Sequence, residues 1–359
     1  WLGLAALSSL VYLGILWRSL AFNSRPGEKI LLPDLGPGNL LTILRGLFLA
    51  LWMGFLFSPW PPGWLAWVPG LLYSIVAIAD LFDGYLARKF DHQTLMGERL
   101  DLSLDGLGML VASILLVQYG QVPAWYLLVG LARYLFVAGI WLRRMLGKPV
   151  FELSPNPTRR PFAGAQMGFA AVVLYPYFGP PGTALAAALF AVPFLVGFTV
   201  DWLEVSGVNF SGFFQRAKIE NYDGQNKRVL KNIFVTWLPL VFRGSLVVLI
   251  SFWVAQNLIG QEYFSDLSPV SLSTSFFPWL GGLLLIIGIG TLMIALGAAG
   301  RIAALIVLFG VGIYVNNYGL DVTEALLVIV AAALLYLGTG PYSLWNPEQG
   351  IISRRLGEL

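Results

Sequence analysis

The chain has 359 residues, 57% of them hydrophobic and only 11% charged, with no cysteine and a formal net charge of +3. A soluble domain averages about 25% charged residues, so a chain of mean hydropathy +0.75 is expected to be an integral membrane protein. The missing cysteines exclude disulfides, thiolate catalysis and zinc–thiolate sites, and the basic residues form no nucleic-acid patch.

Eleven apolar runs near the ~20 residues needed to cross a bilayer follow in chain order. They lie at 1–21, 40–58, 64–87, 98–118, 122–142, 162–179, 183–203, 233–256, 275–296, 300–316 and 323–339. The expected fold is therefore all-α and polytopic, with about 11 transmembrane helices. The first run lacks a basic leader and a small-residue cleavage site, so it is expected to persist as a helix. Residues 22–38 set Ile30, Leu31 and Leu32 between charges and prolines, a pattern that suits the membrane interface.

Charge alternates with the runs. Arg18, Arg25 and Lys29 follow the first, Arg88, Lys89 and Arg99 the third, and Arg143, Arg144, Lys148, Arg159 and Arg160 the fifth. Arg216, Lys218, Lys227, Arg228 and Lys231 follow the seventh, and Arg301, Arg354 and Arg355 fall on the same side. Segments 59–63, 119–121 and 180–182 carry no Lys or Arg, while 258–274 and 317–322 carry only acids. By the positive-inside rule the N-terminus is expected outside and the C-terminus inside a bacterial-type inner membrane.

The chemistry concentrates where the third and fourth runs meet. The chain reads Asp80, Asp83, Gly84, Ala87 and Arg88, then eight residues to Gly97, then Asp101 and Asp105. Asp80 and Asp83 are three apart and Asp101 and Asp105 four apart, so each pair shares a helix face. Each aspartate in a membrane helix costs about 2.5–3.5 kcal/mol on insertion scales, so four facing one another need a compensating charge. Hard divalent cations bound through oxygen supply one, and would bring a phosphate-bearing substrate to the membrane edge.

This order resembles the CDP-alcohol phosphotransferase signature, D-x2-D-G-x2-A-R-x8-G-x3-D-x3-D, with all eight fixed positions met by the residues just named. The resemblance covers roughly residues 30–203, within a domain expected at 30–205: a six-helix core formed by the second to seventh runs, with residues 1–29 an added helix and juxtamembrane segment. It implies transfer of a phosphatidyl group from a CDP-diacylglycerol-type lipid to an acceptor alcohol, releasing CMP, in a homodimer surrounded by membrane lipids. It further implies two Mg²⁺ or Mn²⁺ ions held by Asp80, Asp83, Asp101 and Asp105, with Asp105 as general base. Gly84 and Ala87 would admit the cytidine, Arg88 would stand near the phosphates, and Gly97 would relieve crowding where the helices converge. Pro37 to Arg45 resembles the family segment P-N-x-L-T-x-x-R, so Asn39, Thr42 and Arg45 would shape the nucleotide and phosphate end. Thr42 as a helix cap and Arg45 as a snorkelling side chain are equally compatible with the sequence.

Arg133 lies inside the fifth run, where an ionisable residue is a functional candidate by default. With Arg143, Arg159, Arg160 and Gln166 it resembles the family's acceptor region, and several guanidiniums favour an acceptor that itself bears phosphate. Membrane anchoring on the positive side is the alternative for Arg143, Arg144, Arg159 and Arg160. His92, without partner ligands nearby in sequence, is expected to be a solvated loop residue.

Residues 206–231 read as a polar linker whose basic residues alternate with Phe210, Phe213, Phe214, Ile219 and Tyr222, suited to the interface. Beyond it, in a module expected at 232–359, residues 233–345 resemble DoxX-like four-helix membrane domains through Gly281-Gly282, Gly300-Arg301, Glu324 and Gly338 to Ser343. Gly297 and Gly300, flanked by alanines, suit close helix packing, and Arg243 lies mid-span. The added helices at both ends leave a competing reading open: a non-catalytic subunit of a larger membrane complex.

Overall fold

Proline, glycine and a few capping side chains set where the helices begin. The computed structural model describes residues 1–28, 30–154, 159–208, 237–265, 277–338, 340 and 343–345, without the side chains of 160, 258–265 and 277–280. Lys29, the linker residues from 209 onward with their aromatic and basic side chains, Arg354 and Arg355 lie outside the described residues. The described helices are α1 (Leu2–Ser19), α2 (Gly36–Trp52), α3 (Val68–Lys89), α4 (Leu95–Gln118), α5 (Leu127–Met145) and α6 (Arg159–Val173). They continue with α7 (Gly182–Val205), α8 (Leu238–Ser265), α9 (Phe277–Leu296), α10 (Gly300–Tyr318) and α11 (Val322–Leu337), and no strand occurs among the described residues.

Eight of these helices are long and apolar enough to cross a membrane, and three shorter apolar stretches are Pro161–Val173, Gly281–Leu296 and Val322–Leu337. The all-α expectation stands, whereas eleven full crossings is more than the described helices supply. The sixth run shows why. Its apolar sequence continues to residue 179, but α6 stops at Val173, ahead of Pro176, Pro180 and Pro181, none of which can extend a helix. Fifteen residues at 1.5 Å each reach about 22 Å, short of a ~30 Å hydrocarbon core.

Two compact units divide the chain, Trp1–Val208 and Asn209–Leu359. In the first, Pro37 opens α2, Pro69 opens α3, and the Thr94 hydroxyl caps α4 by accepting the Gly97 N–H at 3.0 Å. Arg88 and Lys89 close α3 against its C-terminal dipole, and Asp91, at φ +48°, turns the chain back into α4. This short reversal puts the end of α3 beside the start of α4, which brings the two aspartate pairs together.

Helix α2 threads between its neighbours. Its Trp52 stacks on Tyr73 of α3 at 4.6 Å and donates its indole N–H to the Pro69 carbonyl at 2.9 Å. On another side α1 lies against it: Tyr12 rests on Gly46 and donates to the Ile43 carbonyl at 3.1 Å, while the Ser8 hydroxyl donates to that of Ala50 at 2.6 Å. Outward, Leu2, Leu10, Trp17, Leu71, Ile78, Leu135 and Leu142 are exposed, an apolar surface suited to lipid.

Residues 20–28 and 30–35 form a strap over the α3–α4 turn. Asn23 donates to the Leu32 and Asp34 carbonyls, Leu95 N–H donates to the Ser24 carbonyl, and Arg25 pairs with Asp91 at 3.6 Å. His92 is therefore not solvated: it packs against Gly36, 3.8 Å from Asp34, with its side chain 13% exposed. The strap's return over the turn covers it, and no sequence period announced that return.

In the second unit, Asp321 and Glu324 form a capping box at the start of α11, and buried Glu324 also accepts the Trp253 indole N–H at 2.8 Å. Arg243 donates to the carbonyl of Ala295 in the last turn of α9, satisfying one of that helix's terminal acceptors. Gly297, expected at a helix contact, instead lies in the turn after α9 at φ +65°, where a side chain would also meet the backbone of Ser343.

Candidate functional site

The site is built on the closest approach of α2 and α3. A methyl group on Gly38 would lie 2.8 Å from Ala87 Cβ and 3.0 Å from its backbone, so only glycine allows this separation. The helices run antiparallel, and one face of α2 carries Asn39, Thr42 and Arg45 inward, all buried.

Arg45 is the hub. Its guanidinium is 1% exposed and touches all four aspartates. One terminal nitrogen donates to Asp80 and lies 3.1 Å from Asp83. The other donates to the Asp101 carboxylate at 2.9 Å, the Asp105 carboxylate at 3.2 Å and the Asp101 main-chain carbonyl at 3.3 Å. The compensating charge that the sequence demands is thus supplied within the chain by a residue read from sequence as either phosphate-shaping or snorkelling.

The aspartates are not equivalent. Asp80, Asp101 and Asp105 each offer a carboxylate oxygen within 4.8 Å of the other two, a group able to converge on one cation. Asp83 is more deeply buried; it accepts from the Thr42 hydroxyl at 3.0 Å and from the Gly84 N–H at 2.6 Å. Thr42 therefore orients an aspartate, and its hydroxyl oxygen also lies 3.1 Å from the Gly38 carbonyl, the alternative acceptor for its one proton.

Asn39 acts one turn earlier. Its amide donates to Thr94 at 2.8 Å and to Asn23 at 3.3 Å, and the Thr94 hydroxyl lies 3.1 Å from the Asn39 side-chain oxygen. A side chain on Gly97 would collide with that same oxygen. Asn39 and Gly97 thus lock α2 to the start of α4 and fix the level of Asp101 and Asp105. Gly84 is half-buried, with the Arg88 guanidinium close beside it, and Arg88 itself is exposed.

The acceptor candidates are spread more widely. Arg133 lies across Gly106, directly after Asp105, where a methyl group would sit 2.9 Å from its Cδ. Arg159 forms a two-pronged pair with Asp201 at 2.8 and 2.9 Å and donates to the Ser154 carbonyl, and that pairing holds its pKa above the ordinary arginine value. Arg143 closes a loop through the carbonyls of Pro149 and Ser206. Gln166 is fully buried and accepts the Tyr126 hydroxyl at 2.7 Å; the side chain of Arg160 is outside the described residues. Asp201 was not singled out from sequence, although an acid inside an apolar run was a signal to look for its cation.

Comparison with known proteins bears on the same segment. Residues 37–203 match the family model described as CDP-alcohol phosphatidyltransferase. A CDP-diacylglycerol–glycerol-3-phosphate 3-phosphatidyltransferase of Cereibacter sphaeroides is 30% identical over 138 residues, 38% of this chain and 61% of the relative. Its namesake in Bacillus subtilis is 32% identical over 114 residues, 29% of this chain and 59% of the relative. The protein of that name in Pseudomonas fluorescens is 35% identical over 80 residues, 22% of this chain and 40% of the relative. The chain spans about three-fifths of the length of the first two. No solved structure matches it. The matched residues 37–203 hold the whole aspartate cluster and Arg45, so the resemblance to the CDP-alcohol phosphatidyltransferase family rests on the segment that carries the site.

Proposed function

We propose that the first unit transfers a phosphatidyl group from a CDP-diacylglycerol-type lipid to a phosphate-bearing alcohol, glycerol 3-phosphate being the first candidate, and releases CMP. The observation that supports it most is the convergence of Asp80, Asp101 and Asp105 within 4.8 Å inside the matched segment. The names of the relatives support the choice of acceptor. Three hard oxygen donors at that spacing fit Mg²⁺ or Mn²⁺, and Asp83 would complete the set from its place beside Thr42. Such ions, when bound, supply positive charge to the attacking and leaving oxygens.

The chain's own residues do the rest. Asp105, one turn deeper than Asp101, takes the proton of the acceptor hydroxyl, a contribution of ~10²–10⁴-fold for a well-placed base. The acceptor oxygen forms its bond to the lipid-side phosphorus as the bond to CMP breaks, and CMP leaves with the electron pair. Arg133, beside Gly106, is the candidate to bind the acceptor's phosphate, and Arg159 could join it only by leaving its pair with Asp201. Gly84 leaves room for the nucleotide, whereas Ala87, read from sequence in the same role, packs against Gly38 in the α2–α3 crossing; the distribution of basic residues favours a cytoplasmic site.

The test is CMP release by purified full-length protein given CDP-diacylglycerol and glycerol 3-phosphate, inositol phosphate or phosphatidylglycerol. Turnover should require Mg²⁺ or Mn²⁺ and vanish in Asp105→Asn; full turnover in EDTA refutes the metal-dependent reading. No CMP with any acceptor, together with co-purification in a larger assembly, would favour the non-catalytic subunit.

A further inference from the structure

Arg45 contacts the same carboxylates that could converge on an ion. It holds Asp80, Asp101 and Asp105, the group able to hold a metal, and adds Asp83. Its terminal nitrogen lies 2.9 and 3.2 Å from Asp101 and Asp105, close to where an ion would sit at ~2.0–2.1 Å from such oxygens. A divalent ion and a guanidinium cannot both satisfy these oxygens without close like-charge approach.

We propose that Arg45 is a resident counter-cation that competes with the divalent ions for the aspartate cluster. This inference rests on the metal-dependent reading above and adds a direction to it. Four carboxylates on converging helices repel one another, and a buried, paired guanidinium lets the site fold before any ion arrives. Whatever stabilises the ion-free state weakens ion binding by linkage, so Arg45 lowers metal affinity while raising ion-free stability.

A purely structural brace predicts the opposite sign. If Arg45 only holds the aspartates in register, its loss lets them splay and metal binding weakens. The two roles are separated by Mn²⁺ binding to full-length protein, read from the free-Mn²⁺ electron paramagnetic resonance signal without substrate. Arg45→Gln is expected to bind Mn²⁺ about tenfold more tightly than wild type, and to melt at a lower temperature in EDTA with a larger gain on adding Mn²⁺. Arg45→Lys keeps the charge but loses the planar fork, and should fall between the two.

Equal or weaker Mn²⁺ binding by Arg45→Gln overturns the proposal. If that variant does not fold even with Mn²⁺, Arg45→Lys decides: tighter binding than wild type supports it, equal or weaker binding overturns it. Wild-type protein that binds no Mn²⁺ would overturn the metal-dependent reading together with this one, so the two failures are distinguishable.

Discussion

Gly38→Ala tests whether the α2–α3 crossing sets the site. The added methyl would meet Ala87 Cβ at 2.8 Å and Ala87 Cα and N at 3.0 Å. Carbon atoms pack at about 3.5–4.0 Å, so the helices must part by about 0.7–1.2 Å. All three contacts involve backbone or Cβ, and no rotamer can relieve them. Arg45 lies seven residues along α2 and Asp80 seven back along α3, about 10 Å from the crossing at 1.5 Å per residue. Over that distance rigid helices carry most of the displacement, so the 3.1 Å Arg45–Asp83 contact opens toward about 4 Å, beyond hydrogen-bond reach.

Overpacking of this kind costs ~1–3 kcal/mol, which a folded membrane domain can survive, whereas a 1 Å misplacement of reacting groups can cost ~10²-fold in rate. The assay is CMP release per folded protein, with helix content checked by circular dichroism. Gly197→Ala in α7 is the matched control, since a methyl there meets nothing within 4 Å. Its rate should stay within about twofold of wild type, because an open helical position gains only ~1 kcal/mol from the swap. A folded Gly38→Ala protein with an unchanged rate refutes the argument, and so does an equal loss in Gly197→Ala.

Two further outcomes concern stability. Tyr73 is fully buried against Trp52 and its hydroxyl has no hydrogen-bond partner among the described residues, so Tyr73→Phe should raise the apparent Tm by about 2–4 °C, the equivalent of ~1 kcal/mol; a fall would mean that the hydroxyl makes a bond. Asp201→Asn leaves one acceptor for Arg159 but removes the charge and one arm of the pair, so the apparent Tm should drop by about 3–6 °C in thermal unfolding. An unchanged Tm would reduce that pair to a surface contact of no energetic weight.

What could be read ahead of the structure follows a physical divide. The aspartates were legible because three- and four-residue spacing fixes a shared face whatever the helices pack against. Arg45 was only half legible. Whether an arginine in α2 snorkels or faces inward depends on how closely α3 approaches, and the Gly38–Ala87 backbone contact settles that. The same holds for Thr42, whose hydroxyl could cap a helix or serve a carboxylate until the crossing aims it at Asp83. Asn39 gains its role from Thr94, 55 residues away, and no local pattern encodes so distant a pairing.

The remaining differences have the same root. Hydropathy measures where apolar residues run, while helix length also depends on prolines, so α6 ended earlier than its apolar sequence. His92 and the strap depend on Asn23 reaching the Leu32 and Asp34 carbonyls, main-chain acceptors that any residues could offer. Arg159 is the instructive case, because its sequence neighbourhood suggested phosphate while its partner lay on the next helix. An acid such as Asp201 inside an apolar run costs too much to stand alone. The run from 183 to 203 contains that single acid and a basic cluster opens the helix before it, so their pairing was deducible from charge economy alone. Buried charge in a membrane helix is therefore best read from sequence in pairs across helices. By that rule Arg45 too pointed to acids on α3 and α4, since four carboxylates so close together needed a cation from some neighbouring helix.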